Sequence, residues 1–205
     1  MSGYPLVLEG ERIDALVVGG GRVAERKVRA LLASGATVRV VAPEISAGLR
    51  ALALEDSRLT VIPRAYMVSD VAEAHLVVAA TDVPAVNDAV ACDAHAQRRL
   101  VNVTHDPAAG NFMTVAAHRP GGGPLLIAVS AGGVPVAAAR IRDSLAARFD
   151  TRYATAVDAL GRLRRALLQD GDRAGWRRAV DTLLSEDFCE RVEAGDFADE
   201  VTQWR

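Results

Sequence analysis

Short apolar runs alternate with amphipathic segments along the first hundred residues. Five runs have the length and composition of strands: Asp14–Val18, Thr37–Val41, Leu59–Ile62, Leu76–Ala80 and Leu100–Val103. Three segments with helical spacing separate them: Arg22–Ser34, Ile45–Leu54 and Val83–Arg98. The apolar positions of the third helix place Val86, Ala89, Val90 and Ala94 on its inward face. Strand and helix in regular succession predict an α/β fold with a parallel sheet that is covered on both sides.

The pattern changes after residue 112. Two strand-like runs, Phe112–Ala117 and Leu125–Ser130, predict an antiparallel pair with a loose loop. Val134–Phe149 follows as a helix, and its buried stripe is expected to comprise Val136, Ala139, Ile141 and Leu145. The rest predicts amphipathic helices, over Ala154–Leu168, Arg173–Leu184 and Phe188–Ala194. We therefore expect a nucleotide-type domain over 1–112, a small α+β segment over 113–150 and a helical domain over 151–205.

A glycine-rich turn follows the first strand and opens the first helix. Residues 19–24 fit the pattern G-x-G-x-x-A of a Rossmann dinucleotide-binding domain. Gly19 permits the tight turn, Gly21 lets a diphosphate approach the backbone, and Ala24 lets helix and strand pack closely. The free N–H groups of the helix, starting at Arg22 and Val23, would then bind the diphosphate. The alternative is an ordinary glycine-rich turn.

Two further loops bear on the cofactor. Glu44, or the backbone around Pro43, is placed to bind the adenosine ribose, and a carboxylate there favours NAD over NADP. Glu44 could instead lie in the first turn of the next helix, where acids are stabilising. Thr81 follows the fourth strand and could bind the cofactor through its hydroxyl. Thr81 or Asp82 could equally cap the following helix.

Candidate acid–base groups follow the fifth strand. His105 and Asp106 lie side by side after Asn102, and Asn111 comes just beyond. Histidine suits general acid–base catalysis because its proton exchanges near neutral pH. The alternative is a turn in which Asp106, ahead of Pro107, caps locally. Ser130 begins a second glycine turn, which is either another anion site or a plain strand-to-helix connection.

Composition narrows the function classes. A net charge of −2 and an aromatic content of 4% argue against a nucleic-acid-binding protein. The apolar runs are too short to span a membrane, and the N-terminus lacks the basic region of a secretory signal. Cys92 and Cys189 fit no metal-ligand spacing and no disulfide framework, so a cytoplasmic protein without a bound metal is expected.

Positive charge is concentrated in one part of the chain. Between Arg119 and Arg178 there are eleven arginines against five acids, whereas the rest of the chain is acidic. This excess indicates either a helical surface of solvated arginines or a pocket for a ligand with several carboxylates or phosphates.

Four segments together resemble a known family. VVGGGRVAERKVRALLASGATVRVVAP, LVVAATDVPAVN, VNVTHDPAAGNF and PLLIAVSAGG are similar, in order and spacing, to the precorrin-2 dehydrogenases, which include the corresponding module of siroheme synthases. The resemblance runs from about Pro5 to about Phe149. It implies oxidation of precorrin-2 to sirohydrochlorin with NAD, in a homodimer that exchanges strands and a helix of the middle segment. It also implies that the cofactor contacts fall on Gly19, Gly21, Arg22, Val23, Pro43, Glu44 and Thr81.

The resemblance further implies a tetrapyrrole substrate with eight carboxylates. Arginines such as Arg119 and Arg140 would meet those carboxylates, and we expect Asn102, Asn111 and Ser130 to contact the substrate as well. Where the family carries its catalytic aspartate this chain has His105, followed by Asp106, so either residue could assist proton removal. Two alternatives stay open: a dehydrogenase that also inserts iron, and a non-catalytic protein that senses NAD or tetrapyrroles.

Overall fold

A parallel sheet of five strands organises the first half of the chain. The computed structural model describes residues 3–204, so the outermost residues of the predicted terminal domains lie outside the described residues. The strands are β1 (Asp14–Val18), β2 (Thr37–Val41), β3 (Leu59–Ile62), β4 (Leu76–Ala79) and β5 (Leu100–Val103), in the order β3-β2-β1-β4-β5. The connecting helices are α1 (Arg22–Ala33), α2 (Ala47–Glu55) and α3 (Pro84–Ala96). The predicted α/β fold of the Rossmann type is confirmed.

Apolar side chains fill both faces of this sheet. Val17 pairs in register with Val40 of β2 and Val78 of β4, and all three belong to one buried cluster. The neighbouring positions, such as Leu16 and Val77, belong to the cluster on the opposite face. Because successive side chains of a strand alternate between faces, a sheet that is covered on both sides needs continuous apolar runs.

The second half of the chain is mainly helical. Two antiparallel strands, β6 (Ala116–His118) and β7 (Ile127–Val129), precede helix α4 (Pro135–Arg148). Four helices follow: α5 (Thr151–Gln169), α6 (Arg173–Leu183), α7 (Phe188–Ala194) and α8 (Phe197–Gln203). No helix within residues 3–204 is both long enough and apolar enough to cross a membrane.

The chain divides into two compact units, the first ending at Thr114 and the second beginning at Val115. Nearly all of the predicted middle segment, 113–150, therefore lies in the same unit as the helical region 151–205. Leu125 and Phe149 pack against the buried cluster of α5–α8, which explains why the middle segment and the helices form one unit.

Four sequence-based expectations are corrected. The strand predicted from Phe112 begins only at Ala116, because Phe112 packs against the core of the first unit. Helix α8 was not predicted. On α3, Val90 and Ala94 are buried as predicted and Val86 is partly buried, but Ala89 is exposed. Asn87 and Ala91 are the buried positions that were not predicted.

The predicted buried stripe of α4 is the fourth correction. Within this helix only Ala138 is buried, whereas Val136 is 71% exposed and Ile141 is 48% exposed. Of the predicted stripe, Ala139 and Leu145 are partly buried, whereas Val136 and Ile141 are left exposed by the described part of the chain.

Candidate active site

The loops after β1, β2, β4 and β5 lie at the carboxyl edge of the parallel sheet in the first unit. The strand order reverses at β1, which lies between β2 and β4, and in such sheets ligands bind where the order reverses. Gly19 of the loop after β1 donates its N–H to the carbonyl of Val41 at 3.0 Å. Ser46, beyond β2, donates to the carbonyl of Gly20 at 2.9 Å. These two backbone hydrogen bonds hold the glycine turn against the segment that follows β2.

Gly19 lies close to the backbone at the end of β4. Its φ of +129° is one that residues with a side chain rarely adopt. A Cβ at Gly19 would also lie 2.3 Å from the carbonyl oxygen of Ala80, at the end of β4. Both the positive φ and the short distance require glycine at position 19, in agreement with the tight turn predicted there.

Gly21 opens onto free space at the start of α1. It is the N-cap residue, no side chain within residues 3–204 caps the helix, and a Cβ there would meet no atom within 4 Å. Arg22 and Val23 are exposed, whereas Ala24 is fully buried against the sheet. An uncapped helix end with room in front of it fits a diphosphate, because its N–H groups are unpaired and carry partial positive charge.

Glu44 lies in the loop between β2 and α2. It is exposed and precedes the N-cap residue Ser46 by two positions, so it is not in the first turn of the helix. The backbone of Glu44 is packed against the glycine turn, since a Cβ at Gly20 would lie 1.8 Å from its carbonyl oxygen. Pro43 is exposed beside it. The loop that was predicted to contact the ribose therefore adjoins the predicted diphosphate site.

The side chain of Glu25, on α1, is hydrogen-bonded to the N-cap residue of α2, Ser46. Its carboxylate accepts hydrogen bonds from Arg29 at 2.8 Å and from the Ser46 hydroxyl at 3.1 Å. These bonds, the one from Arg29 above all, lower the pKa of Glu25. The lowered pKa favours the ionised form of Glu25, whose bond to Ser46 ties α1 to the N-cap residue of α2.

Asn87 is a residue of the site that the sequence reasoning missed. It lies on α3, is 1% exposed, and hydrogen-bonds to the loop after β4. Its Oδ1 accepts the backbone N–H of Thr81 at 3.0 Å, and its Nδ2 donates to the Thr81 carbonyl at 3.0 Å. The Thr81 hydroxyl lies 2.8 Å from the same Oδ1 and accepts the N–H of Val83, the N-cap residue of α3. Thr81 therefore helps to organise the start of α3.

Asn87 also reaches the loop after β5. Its Nδ2 lies 3.1 Å from Nδ1 of His105, which is exposed. One buried amide thus connects Thr81 and His105, which were predicted to bind cofactor and to assist catalysis. The sequence could have indicated Asn87 by its position, because it lies at helical spacing from the apolar residues of one face of α3. These residues are Val90, Ala91 and Ala94.

The other polar residues after β5 contact the backbone. Asp106 is exposed and accepts the N–H of Ala108 at 3.0 Å, as its predicted capping alternative requires. Asn102 is buried and donates to the carbonyl of Phe112 at 3.2 Å. Asn111 accepts the N–H of Val101 at 2.8 Å and donates to the carbonyl of Arg99.

Asn111 thus pairs the open N–H of Val101 on β5, an edge strand of the sheet, and Asn102 holds the segment at Phe112 that follows. The amides of Asn102 and Asn111 are therefore engaged in structural hydrogen bonds, and their contact with substrate stays a prediction.

The remaining predicted substrate residues belong to the second unit. Ser130 follows β7 and is exposed, ahead of two glycines with positive φ. Arg119 and Arg140 are exposed as well, and neither forms an ion pair with any residue between 3 and 204. Two free guanidinium groups of this kind can pair with carboxylates of a ligand.

Comparison with known proteins identifies the first unit. The model of a family described as putative NAD(P)-binding matches residues 6–116, which include all four loops of the sheet edge. The chain belongs to this family. The prediction of a nicotinamide dinucleotide as cofactor is thereby confirmed at the level of the family.

Longer relatives match nearly the whole chain. It is 39% identical over 204 residues to the siroheme synthase of Chromobacterium violaceum, covering 98% of this chain and 41% of that protein. It is 38% identical over 194 residues to the siroheme synthase of Pseudomonas putida, again covering 41% of the relative. The chain therefore spans less than half the length of these relatives.

A solved structure has the same fold. SirC, a precorrin-2 dehydrogenase, superposes with a TM-score of 0.77 at 24% sequence identity, covering 98% of this chain and 100% of that one. This match shows the fold, and the similarity to siroheme synthases confirms the resemblance that the four sequence segments indicated.

Proposed function

We propose that this protein oxidises precorrin-2 to sirohydrochlorin with NAD, in the biosynthesis of siroheme or cobalamin. The observation that carries the proposal is the open glycine turn at the uncapped start of α1, where the strand order of the sheet reverses. The 39% identity with a siroheme synthase along almost the whole chain supports the choice of substrate.

The residues at this edge fit NAD. Gly21 leaves room for the diphosphate in front of the N–H groups of Arg22 and Val23. The exposed carboxylate of Glu44 suits a ribose with free hydroxyls and would repel the additional phosphate of NADP. NAD, when bound, supplies the acceptor for a hydride; the chain contributes orientation and a group that receives a proton.

The substrate is proposed to be recognised through its acidic side chains. Arg119 and Arg140 are the candidates for its carboxylates, with Ser130 beside the second glycine turn. His105 and Asp106 lie at the edge of the sheet where the cofactor is proposed to bind, so that proton removal and hydride loss would occur at one site. Among residues 3–204, no group of three or more His, Cys, Asp or Glu side chains is placed to hold a metal ion.

We also propose that the protein acts as a homodimer in the cytoplasm. The exposed apolar side chains of α4, Val136 and Ile141, support association through the segment 113–150. Cys92 and Cys189 are both free thiols, as is typical of a reducing compartment.

The test is production of NADH from freshly prepared precorrin-2 and NAD, followed by absorbance. The Gly21→Val variant should keep its thermal stability, because the added side chain meets open space, while the KM for NAD rises about tenfold or more. Gly161→Ala is the matched control, since its Cβ meets only the flexible end of Arg165. This control should behave like the wild type.

Two outcomes would contradict the proposal. A folded wild-type protein that binds NAD and precorrin-2 without releasing NADH would instead be a sensor. Failure to bind NAD at all would remove the cofactor assignment. Anaerobic addition of ferrous iron to sirohydrochlorin, with the same protein, separates a dehydrogenase from one that also inserts the metal.

A further inference from the structure

The side-chain amide of Asn87 has a fixed orientation. Its oxygen faces the N–H of Thr81 and its nitrogen faces the carbonyl of Thr81, each at 3.0 Å. Exchanging the two would set hydrogens against a donor and an oxygen against an acceptor, which a buried group does not tolerate. The second hydrogen of Asn87 Nδ2 is therefore the one given to His105.

This orientation determines which nitrogen of His105 carries a proton. Nδ1 of His105 accepts the bond from Asn87, so the neutral ring carries its hydrogen on Nε2. Nε2 makes no hydrogen bond to any residue between 3 and 204, and the side chain is exposed. A proton on Nδ1 would set two N–H groups against each other. While the Asn87 bond persists, the ring thus offers a donor and not a base.

We propose that Asn87 is a positioning residue that holds His105 as an Nε2–H donor to a carboxylate of the substrate, and that Asp106 accepts the proton released in the oxidation. The inference rests on the proposed function and assigns separate roles to the two neighbouring residues. A C–H bond of the substrate would break with its electron pair leaving as hydride to NAD. The cationic macrocycle that remains would lose a proton from a second bond to the carboxylate of Asp106, and the electron pair of that bond would stay on the ring as the new double bond.

The contacts of Asp106 suit this role. Its Oδ1 accepts the N–H of Ala108 at 3.0 Å, which fixes the side chain, and Oδ2 has no partner within residues 3–204. An ionised carboxylate only accepts hydrogen bonds, so the second oxygen can take a proton without breaking the first bond. Since Asp106 is exposed, water can then remove that proton.

Nuclear magnetic resonance of the histidine rings tests the position of the proton without substrate. In protein carrying ¹⁵N-labelled histidine, two-bond ¹H–¹⁵N spectra of the neutral rings distinguish Nε2–H from Nδ1–H. The chain has four histidines, and the His105→Gln variant identifies the signals of His105 by their loss. We expect Nε2–H in the wild type. Asn87→Asp should shift the population towards Nδ1–H, because a carboxylate can only accept.

Steady-state kinetics test the two roles. His105→Gln keeps a donor near the position of Nε2 and should retain kcat within about threefold, whereas His105→Leu should raise the KM for precorrin-2 about tenfold. Asp106→Asn should lower kcat about a hundredfold or more, with little change in KM.

The opposite results would overturn the inference. An Nδ1–H ring in the wild type, or a hundredfold loss of kcat in His105→Gln with a nearly unaffected Asp106→Asn, would make His105 the base. The wild-type spectrum decides the tautomer even if Asn87→Asp does not fold. If the wild type makes no NADH, the proposed function fails, while the spectra still report whether Asn87 controls the ring.

Discussion

The two units of the chain build their cores differently. In the first unit, valine and leucine side chains of five strands fill both faces of one sheet. In the second, aromatic rings form the centre: Phe149 lies 4.7 Å from Tyr153, and Phe188 lies 5.1 Å from Phe197, between ring centroids. An aromatic content of 4% for the whole chain thus conceals a concentration in one unit. An average composition describes neither core.

The units also differ in how completely they cover their apolar side chains. The predicted strands of the first unit are nearly all buried, and their pattern is satisfied within the chain. The apolar positions of α4, in contrast, include Val136 and Ile141, which remain exposed. A helical apolar stripe therefore marks a surface to be covered, but it does not say whether the same chain covers it.

Truncating one side chain in each core gives the largest expected effect. Phe197→Ala should cost about 3–5 kcal/mol and Leu16→Ala about 2–5 kcal/mol, because both side chains are fully enclosed. Trp176 and Trp204 both belong to the second unit, so tryptophan fluorescence follows that unit, whereas circular dichroism follows both.

Urea unfolding monitored by both methods then separates the units. Phe197→Ala should shift the fluorescence transition and leave a part of the dichroism transition in place. Leu16→Ala should do the reverse. If each variant shifts both signals together, the two units unfold in one cooperative transition, and their cores do not contribute separate free energies of unfolding.

Charging the exposed face of α4 should break the proposed dimer. Val136→Asp combined with Ile141→Asp should convert a wild-type dimer of twice 21.7 kDa into a folded monomer in sedimentation experiments. A rise of about a hundredfold or more in the dissociation constant would correspond to about 2.7 kcal/mol. Leu54→Asp is the control, since Leu54 is 90% exposed on α2 of the first unit and should leave the mass unchanged. A wild-type protein that sediments as a monomer would contradict the proposal.

The strands of the first unit and its glycine turn were predictable because local signals specify them. Periodic apolar runs and glycines at required spacings depend on neighbours in the sequence. The role of Asn87 was not predictable in this way, because its amide on α3 joins two loops, those of Thr81 and His105, that are distant in sequence. The helical face on which it lies was nevertheless visible, since Asn87 precedes Val90, Ala91 and Ala94 at helical spacing.

The second unit was predicted less well for a related reason. Its strands β6 and β7 have only three residues each, so their ends carry almost no periodic signal. Helix α8 begins two residues after Gly195, and Phe197 anchors it by packing on the ring of Phe188 and in the buried cluster that includes Tyr153 of α5. Such contacts decide whether a seven-residue segment is helical, because short helices depend on packing.

The smallest expected effect concerns acid stability of the second unit. The carboxylate of Glu193 accepts hydrogen bonds from Arg148 and from the Tyr153 hydroxyl, both at 2.7 Å. The Arg148 bond is the main cause that lowers the pKa of Glu193 below its usual 4.5. Burial raises the pKa of Tyr153, so its hydroxyl stays a donor.

A carboxyl group with a lowered pKa stabilises the folded state in full above about pH 4.5 and loses that contribution as the pH falls through its folded value. Glu193→Gln should therefore lose less free energy of unfolding than the wild type when the pH falls from about 6 to about 3.5. Urea titrations with tryptophan fluorescence measure this difference. Glu186→Gln is the control, because Glu186 is exposed and forms no ion pair within residues 3–204. Parallel pH curves for Glu193→Gln and the wild type would show that the contact has no part in the acid response of this unit.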